Sequence, residues 1–182
     1  MSWKNTTERY GPVSIALHWL MLLLFIAVYA CIELSGSFPR GSDSRAFMKT
    51  LHFSFGLLIF FMVWLRLAVR VLSPTPRLEP SLPLRQQQAA KLAHAALYVL
   101  MIAMPLAGWL ALSAAGKPIP FFGLEFSALI GESASLAKPI KKIHETVGNV
   151  AYLLIGLHAG VALFHHYVRR DNTLLKILPK RA

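Results

Sequence analysis

The sequence predicts an all-α fold, an integral membrane four-helix transmembrane bundle that forms a single domain over residues 1–182. Of the 182 residues, 55% are hydrophobic and only 15% are charged, whereas about a quarter of a soluble domain is charged. The apolar residues are concentrated in four blocks, each close to the roughly 20 residues that an α-helix needs to cross a bilayer. Several of the chain's 7 histidines lie inside these blocks.

Turn-forming residues separate the four blocks. Gly36, Pro39 and Gly41 follow the first block, and the proline-rich stretch SPTPRLEPSLP follows the second, because proline cannot continue a helix. The third block holds a proline and a glycine, which transmembrane helices tolerate. A longer connection with the aromatic stretch FFGLEF precedes the fourth. The predicted spans cover residues 13–33, 49–71, 91–112 and 140–168.

The basic residues predict the orientation of the bundle. With four spans both termini share one side, which carries 12 of the 19 lysines and arginines, against 7 on the other side. The positive-inside rule therefore predicts cytoplasmic termini. The net charge of +11 lies beside the apolar blocks, which favours contact with anionic lipid over nucleic acid. The single cysteine, Cys31, excludes an intrachain disulfide.

Four histidines match in depth across the predicted bundle. His18 lies about five residues inside the cytoplasmic end of the first span, and His52 lies just inside the outer end of the second. His144 and His158 are separated by fourteen residues, which in an α-helix means about 21 Å and nearly four complete turns. They therefore share one face of the fourth span, with His144 level with His52 and His158 level with His18.

Two histidine pairs at two depths indicate two haems, because neutral imidazole is a good axial ligand of haem iron. Zinc is the rival metal, but it prefers four tetrahedral ligands, and neither depth offers such a set with cysteine or carboxylate. His165 faces the same way as His158 and is an alternative partner for His18, although a His144–His165 spacing would separate the irons by about 31 Å.

The remaining histidines have open roles. His165 and His166 lie at the cytoplasmic boundary, where they either anchor the helix in the interface or contact a quinone or a haem propionate. His94 opens the third span, and we interpret it as hydrogen-bonded to a neighbouring helix.

The segments SIALHWL, LHFSFGLLI and KKIHETVGNVAYLLIGLHAGVALFHHYVRRDNTLLKILP resemble the bacterial cytochrome b561 family. These di-haem membrane proteins are related to the cytochrome b subunits of nickel-iron hydrogenases, and the resemblance covers essentially the whole chain. It implies two haem b groups, with His18 and His158 as ligands of the inner haem and His52 and His144 as ligands of the outer haem. It also implies a bacterial cytoplasmic (inner) membrane location, oxidation of superoxide on the periplasmic side and reduction of membrane ubiquinone.

Two groups of cations are candidates for binding haem propionates, a quinone or small anions. Arg66 and Arg70, near the cytoplasmic end of the second span, could bind haem propionates or a quinone, or could simply anchor the helix at the lipid surface. A basic group on the outer side would collect anions near the outer haem, or would neutralise propionates and aid solubility. Its members are Arg40, Arg45, Lys49, Lys117, Lys138, Lys141 and Lys142.

These expectations lead to one principal functional hypothesis and two alternatives. A haem with histidine on both axial positions passes electrons without binding substrate, and two haems couple a one-electron donor to a two-electron quinone. The principal hypothesis is a di-haem superoxide:quinone oxidoreductase. The first alternative is a cytochrome b subunit that passes electrons to or from a partner hydrogenase or dehydrogenase. The second is a non-redox metal transporter, which would be colourless.

Overall fold

Four long α-helices dominate the computed structural model, which describes residues 4–77 and 83–179. The predicted all-α membrane class is confirmed, because all four helices are long and apolar enough to cross a membrane, and each predicted span lies within one of them. Residues 78–82 of the proline-rich stretch lie outside the described part. The elements are α1 Pro12–Ser37, α2 Asp43–Val71, α3 Leu84–Ala114, β1 Ile119–Phe121, β2 Leu124–Phe126 and α4 Ala134–Phe164, with a π-helical turn His165–Arg169.

Local sequence signals explain where the first two helices begin. Pro12 is the first residue of α1, where its fixed φ suits the helix and its missing N–H costs nothing. Ser42 caps α2, since its hydroxyl accepts a hydrogen bond from the Arg45 backbone N–H at 3.3 Å. Asp43 follows in the first turn, where a negative charge is favourable next to the helix N-terminus.

The connection between α3 and α4 contains a short β-hairpin that the sequence analysis did not predict. Phe122 and Gly123 have φ values of 47° and 88°, so the turn has the two positive φ angles that suit a tight hairpin. The buried Ser54 attaches this hairpin to α2. Its hydroxyl accepts from the Phe122 N–H and donates to the Pro120 carbonyl, each at 3.2 Å.

The hydrophobic core lies between α1, α2 and α3. Its buried members are Met21, Leu24, Ile59, Val63 and Met101. The fourth helix packs closely against α3, and in the described helices no α-carbon of α4 lies within 8 Å of one in α1 or α2. A gap therefore separates α4 from the α1–α2 pair, and only side chains cross it.

Two tyrosines are among the side chains that cross this gap. The Tyr29 hydroxyl donates to the Gly148 carbonyl at 2.9 Å, and the Tyr29 and Tyr152 rings lie 4.1 Å apart between centroids. The Tyr152 hydroxyl in turn donates to Glu33 at 2.9 Å. These contacts join α1 to α4 at a level between the histidines of α4.

Both chain ends meet at one end of the bundle, which we call the terminal end. The Arg9 guanidinium donates to the Leu178 carbonyl at 2.6 Å, and the Trp19 indole N–H donates to the Ile177 carbonyl at 2.9 Å. The opposite end carries the hairpin and is called the hairpin end.

Candidate functional site

Two pairs of imidazoles face each other across the gap between α4 and the α1–α2 pair. His18 of α1 and His158 of α4 form the pair nearer the terminal end, with ring centroids 6.3 Å apart. His52 of α2 and His144 of α4 form the pair nearer the hairpin end, with centroids 6.2 Å apart. The structure thus brings together the same pairs that depth along the sequence predicts.

The separation within each pair suits one metal atom between two rings. Two metal–nitrogen bonds of about 2 Å, plus about 1 Å from each nitrogen to its ring centre, give about 6 Å between centroids. Both pairs have this spacing. Within residues 4–77 and 83–179, no three His, Cys, Asp or Glu side chains converge as ligands for a metal ion.

Backbone carbonyls orient the pair nearer the hairpin end. His52 Nδ1 lies 2.9 Å from the Val28 carbonyl oxygen, and His144 Nδ1 lies 3.1 Å from the Met104 carbonyl oxygen. A carbonyl can only accept, so each Nδ1 carries the proton and donates it. Each Nε2 consequently keeps its lone pair for a metal, which is the arrangement expected of a metal-binding histidine.

Two glycines lie next to the His52–His144 pair, where they leave more room than a larger residue would. A Cβ atom at Gly108 of α3 would lie 3.2 Å from Cε1 of His144, so glycine allows the imidazole to pack directly on the α3 backbone. Gly56 lies one turn after His52 on α2, and a Cβ there would meet nothing within 4 Å. Open space therefore lies beside His52, as a flat cofactor requires.

An arginine is the polar partner of His18 in the other pair. Arg66 Nη2 donates to His18 Nδ1 at 3.0 Å, because a guanidinium has no acceptor. Its Nη1 is buried and has no hydrogen-bond partner in the described part of the chain. Arg66 follows His52 by fourteen residues, so one face of α2 presents the histidine at one level and the arginine at the other.

Arg70, the second predicted cation of α2, has a different environment. Its side chain is exposed, and its guanidinium carbon lies 5.7 Å from the centre of the Tyr98 ring, which is within cation–π distance. The structure therefore brings Arg66, and not Arg70, into hydrogen-bond contact with a candidate ligand.

A third imidazole joins the pair nearer the terminal end. The ring of His94 on α3 lies 5.4 Å from the ring of His158. This contact was not predicted from the sequence. Depth gives only a partial signal, because α3 starts from the same end of the bundle as α1. The rotation of α3 about its axis, which turns His94 towards His158, cannot be taken from depth.

The histidines at the end of α4 point to other partners. His165, the alternative partner for His18, donates from Nδ1 to Asp171 Oδ2 at 2.5 Å. His166 packs edge-on against the Tyr167 ring, with centroids 4.8 Å apart. His158 is accordingly the histidine that faces His18.

Burial by itself would raise the pKa of Asp171, but hydrogen bonds from Thr173 and His165 have the larger combined effect and hold this pKa below its usual range. Asp171 lies after the π-helical turn that follows α4. The carboxylate is therefore the ionised partner that closes the π-helical turn.

The predicted outer cations lie at the hairpin end but do not form one cluster. Arg40, Arg45 and Lys49 line a surface cavity of about 470 Å³ at the start of α2. Lys141 is paired with Glu145 one turn along α4, so its charge is largely balanced. The other predicted lysines are exposed on the surface, at positions Lys117, Lys138 and Lys142.

Comparison with known proteins gives one family over nearly the whole chain. Residues 9–180 match the family described as prokaryotic cytochrome b561. The chain is 38% identical over 174 residues to cytochrome b561 homolog 1 of Escherichia coli (strain K12), covering 96% of this chain and 99% of that protein. It is 37% identical over 174 residues to the probable superoxide oxidase CybB of Yersinia pestis, with 96% and 98% coverage. Cytochrome b561 homolog 2 of Escherichia coli (strain K12) is 33% identical over 183 residues, with 99% and 96% coverage.

Replacing Asp171 with Asn is expected to destabilise the protein in a pH-dependent way. The folded-state pKa is lowered, so the ionised carboxylate stabilises the fold above the ordinary carboxyl pKa of about 4, and this contribution is lost as the pH falls through the folded value. Thermal unfolding in detergent should show a lower midpoint for Asp171→Asn at pH 7 and a shrinking difference below about pH 4. Glu8→Gln, at an exposed site, is the control; a difference for Asp171→Asn that stays constant with pH would contradict the assignment.

Proposed function

The chain belongs to the prokaryotic cytochrome b561 family, and from this premise we propose that it passes electrons from superoxide to ubiquinone. It is a bacterial membrane protein of the electron-transfer cytochrome b type, and proteins of this family bind haem b. The proposal adds the number of haems, their ligands, the electron donor and acceptor, and the orientation in the membrane.

Two haem b groups are proposed to occupy the gap between α4 and the α1–α2 pair. The observation that carries this is the presence of two imidazole pairs at 6.3 Å and 6.2 Å, each spaced for one iron. His18 and His158 would hold the inner haem, and His52 and His144 the outer one. Bound there, each haem supplies a reversible one-electron iron couple.

The protein's own groups orient the ligands and balance charge. The carbonyls of Val28 and Met104 hold the Nδ1–H groups of the outer histidines and so direct each Nε2 into the gap. Arg66 has a buried Nη1 that makes no hydrogen bond within the described residues and can donate to a carboxylate such as a haem propionate. Arg70 is the second, more exposed cation on the same side.

Superoxide as donor is supported by the relative described as a probable superoxide oxidase and by the cations at the hairpin end. A positive surface attracts small anions and raises their encounter rate, most strongly at low salt. Two superoxide anions each lose one electron and leave as dioxygen. One ubiquinone takes up the two electrons and two protons and becomes ubiquinol, so charge and atoms balance.

The proposed orientation follows from the basic residues. Cytoplasmic termini put 12 of the 19 lysines and arginines on the cytoplasmic side of a bacterial inner membrane, as the positive-inside rule requires. The hairpin end then faces the periplasm, where superoxide would be met. Residues 1–182 act as a single transmembrane cytochrome b domain.

Removing one outer ligand is expected to remove one haem. Purified wild-type protein should contain two haems per chain, and His144→Ala or His52→Ala should contain one, because a single imidazole cannot hold the iron in the same six-coordinate site. Haem extraction assays and reduced-minus-oxidised spectra give the ratio. His166→Ala, which changes a histidine outside both pairs, should keep two haems. Two haems in His144→Ala would contradict the pairing, and a colourless wild type would favour the transporter alternative.

Superoxide is expected to reduce the haems, and ubiquinone to reoxidise them. The rate of reduction should fall as ionic strength rises, and it should fall several-fold in the double variant Arg45→Gln/Lys49→Gln at low salt, because the steering charge is removed. Arg85→Gln/Lys91→Gln, which removes two exposed cations on the terminal side, is the charge-matched control and should leave the rate unchanged. Stopped-flow spectroscopy measures both steps. If superoxide does not change the haem spectra, the oxidase proposal is contradicted and the electron-transfer subunit is favoured.

A further inference from the structure

The outer pair and His18 of the inner pair differ in the groups that contact Nδ1 of the imidazole. Both imidazoles of the outer pair donate Nδ1–H to backbone carbonyls, at 2.9 Å for His52 and 3.1 Å for His144. In the inner pair, His18 Nδ1 instead faces the Arg66 guanidinium at 3.0 Å. One iron site is therefore bordered by acceptors with partial negative charge, and the other by a full positive charge.

The outer arrangement favours oxidised iron. When an imidazole N–H donates to a carbonyl, the opposite nitrogen becomes more basic and gives more electron density to the metal. Ferric iron carries one more positive charge than ferrous iron, so the more basic ligand stabilises the ferric form. Both outer ligands act in this direction, which lowers the reduction potential of an outer haem.

The inner arrangement favours reduced iron. An arginine stays protonated at any accessible pH, so Arg66 is a fixed cation. In the part of the chain that the structure describes, Arg66 takes part in no ion pair, and the pairs Lys141–Glu145 and His165–Asp171 involve other residues. A cation without a protein counter-charge, in a region of low dielectric, opposes the extra charge of ferric iron.

The direction in which Arg66 shifts the inner reduction potential does not depend on its hydrogen bond to His18. When His18 Nε2 binds a metal, Nδ1 must carry the proton and can no longer accept from Arg66, but the guanidinium keeps its charge. If Arg66 then pairs with a haem carboxylate, it cancels a negative charge that would otherwise stabilise ferric iron. Loss of the cation lowers the inner potential in either case.

We propose that Arg66 is a positioning residue that holds the inner haem at a higher reduction potential than the outer haem. With both haems bound, an electron that entered at the outer site, leaving superoxide oxidised to dioxygen, would then move downhill to the inner site and on to the quinone. Arg66 neither gains nor loses a proton in this transfer. The inference rests on the proposed function, because it uses the two-haem pairing given there.

A redox titration of the purified holoprotein tests this assignment. Wild type should titrate in two one-electron steps, and Arg66→Gln should shift the higher step to more negative potential while leaving the lower step almost unchanged. Arg66→Lys keeps the charge and should keep most of the higher potential. Arg169→Gln removes an exposed arginine from the same end of the bundle and should move neither step. A higher step that does not move in Arg66→Gln, or an equal shift in Arg66→Lys, would overturn the proposal.

A second variant makes the test independent of whether Arg66→Gln retains its inner haem. His144→Ala leaves Arg66 intact and should keep only the inner haem, whose midpoint should coincide with the higher wild-type step. A remaining haem that titrates at the lower step would overturn the proposal. Failure of the two-haem pairing has a different result, since wild type would then contain fewer than two haems per chain; failure of superoxide as the donor would leave both midpoints and the effect of Arg66→Gln unchanged.

Discussion

The gap between α4 and the α1–α2 pair determines how the four paired histidines face one another. Helices in a bilayer have little hydrophobic drive to associate with each other, so their spacing reflects direct packing and interhelical hydrogen bonds. The apolar core unites α1, α2 and α3, whereas α4 contacts α3 closely and reaches the others only through side chains. Tyr29 and Tyr152 join α1 to α4 between the two histidine levels, which helps to set a constant width for both.

A gap of constant width lets one helix serve two sites. His144 and His158 lie on the same face of α4, and the opposite wall supplies His52 from α2 at one level and His18 from α1 at the other. Because α2 continues to the terminal end, the face that carries His52 also carries Arg66. The repeated fourteen-residue spacing therefore produces two levels that match in their imidazole pairs and differ in charge. The proposed electron transfer from the outer to the inner level uses that difference in charge.

Much of this arrangement could be predicted from the sequence, since block length and histidine depth depend only on helix geometry. The four helices and both imidazole pairs belong to that group. Contacts between helices depend on rotation about each axis, so the approach of His94 to His158 was missed. The hairpin was missed because Phe122 adopts a positive φ, which bulky residues rarely do, and because its anchor Ser54 is distant in sequence. The His165–Asp171 contact depends on a π-helical turn, which has no clear sequence signal.

Low-temperature electron paramagnetic resonance of the fully oxidised protein tests most directly whether the two histidine pairs bind two haems, because the signal reports the axial ligands of each ferric haem. Two imidazoles on each iron predict two low-spin ferric signals, each integrating to one spin per chain and each typical of nitrogen ligation on both sides. A high-spin signal of comparable size, or low-spin signals that together integrate to only one spin per chain, would contradict the assignment of two histidine pairs to two haems.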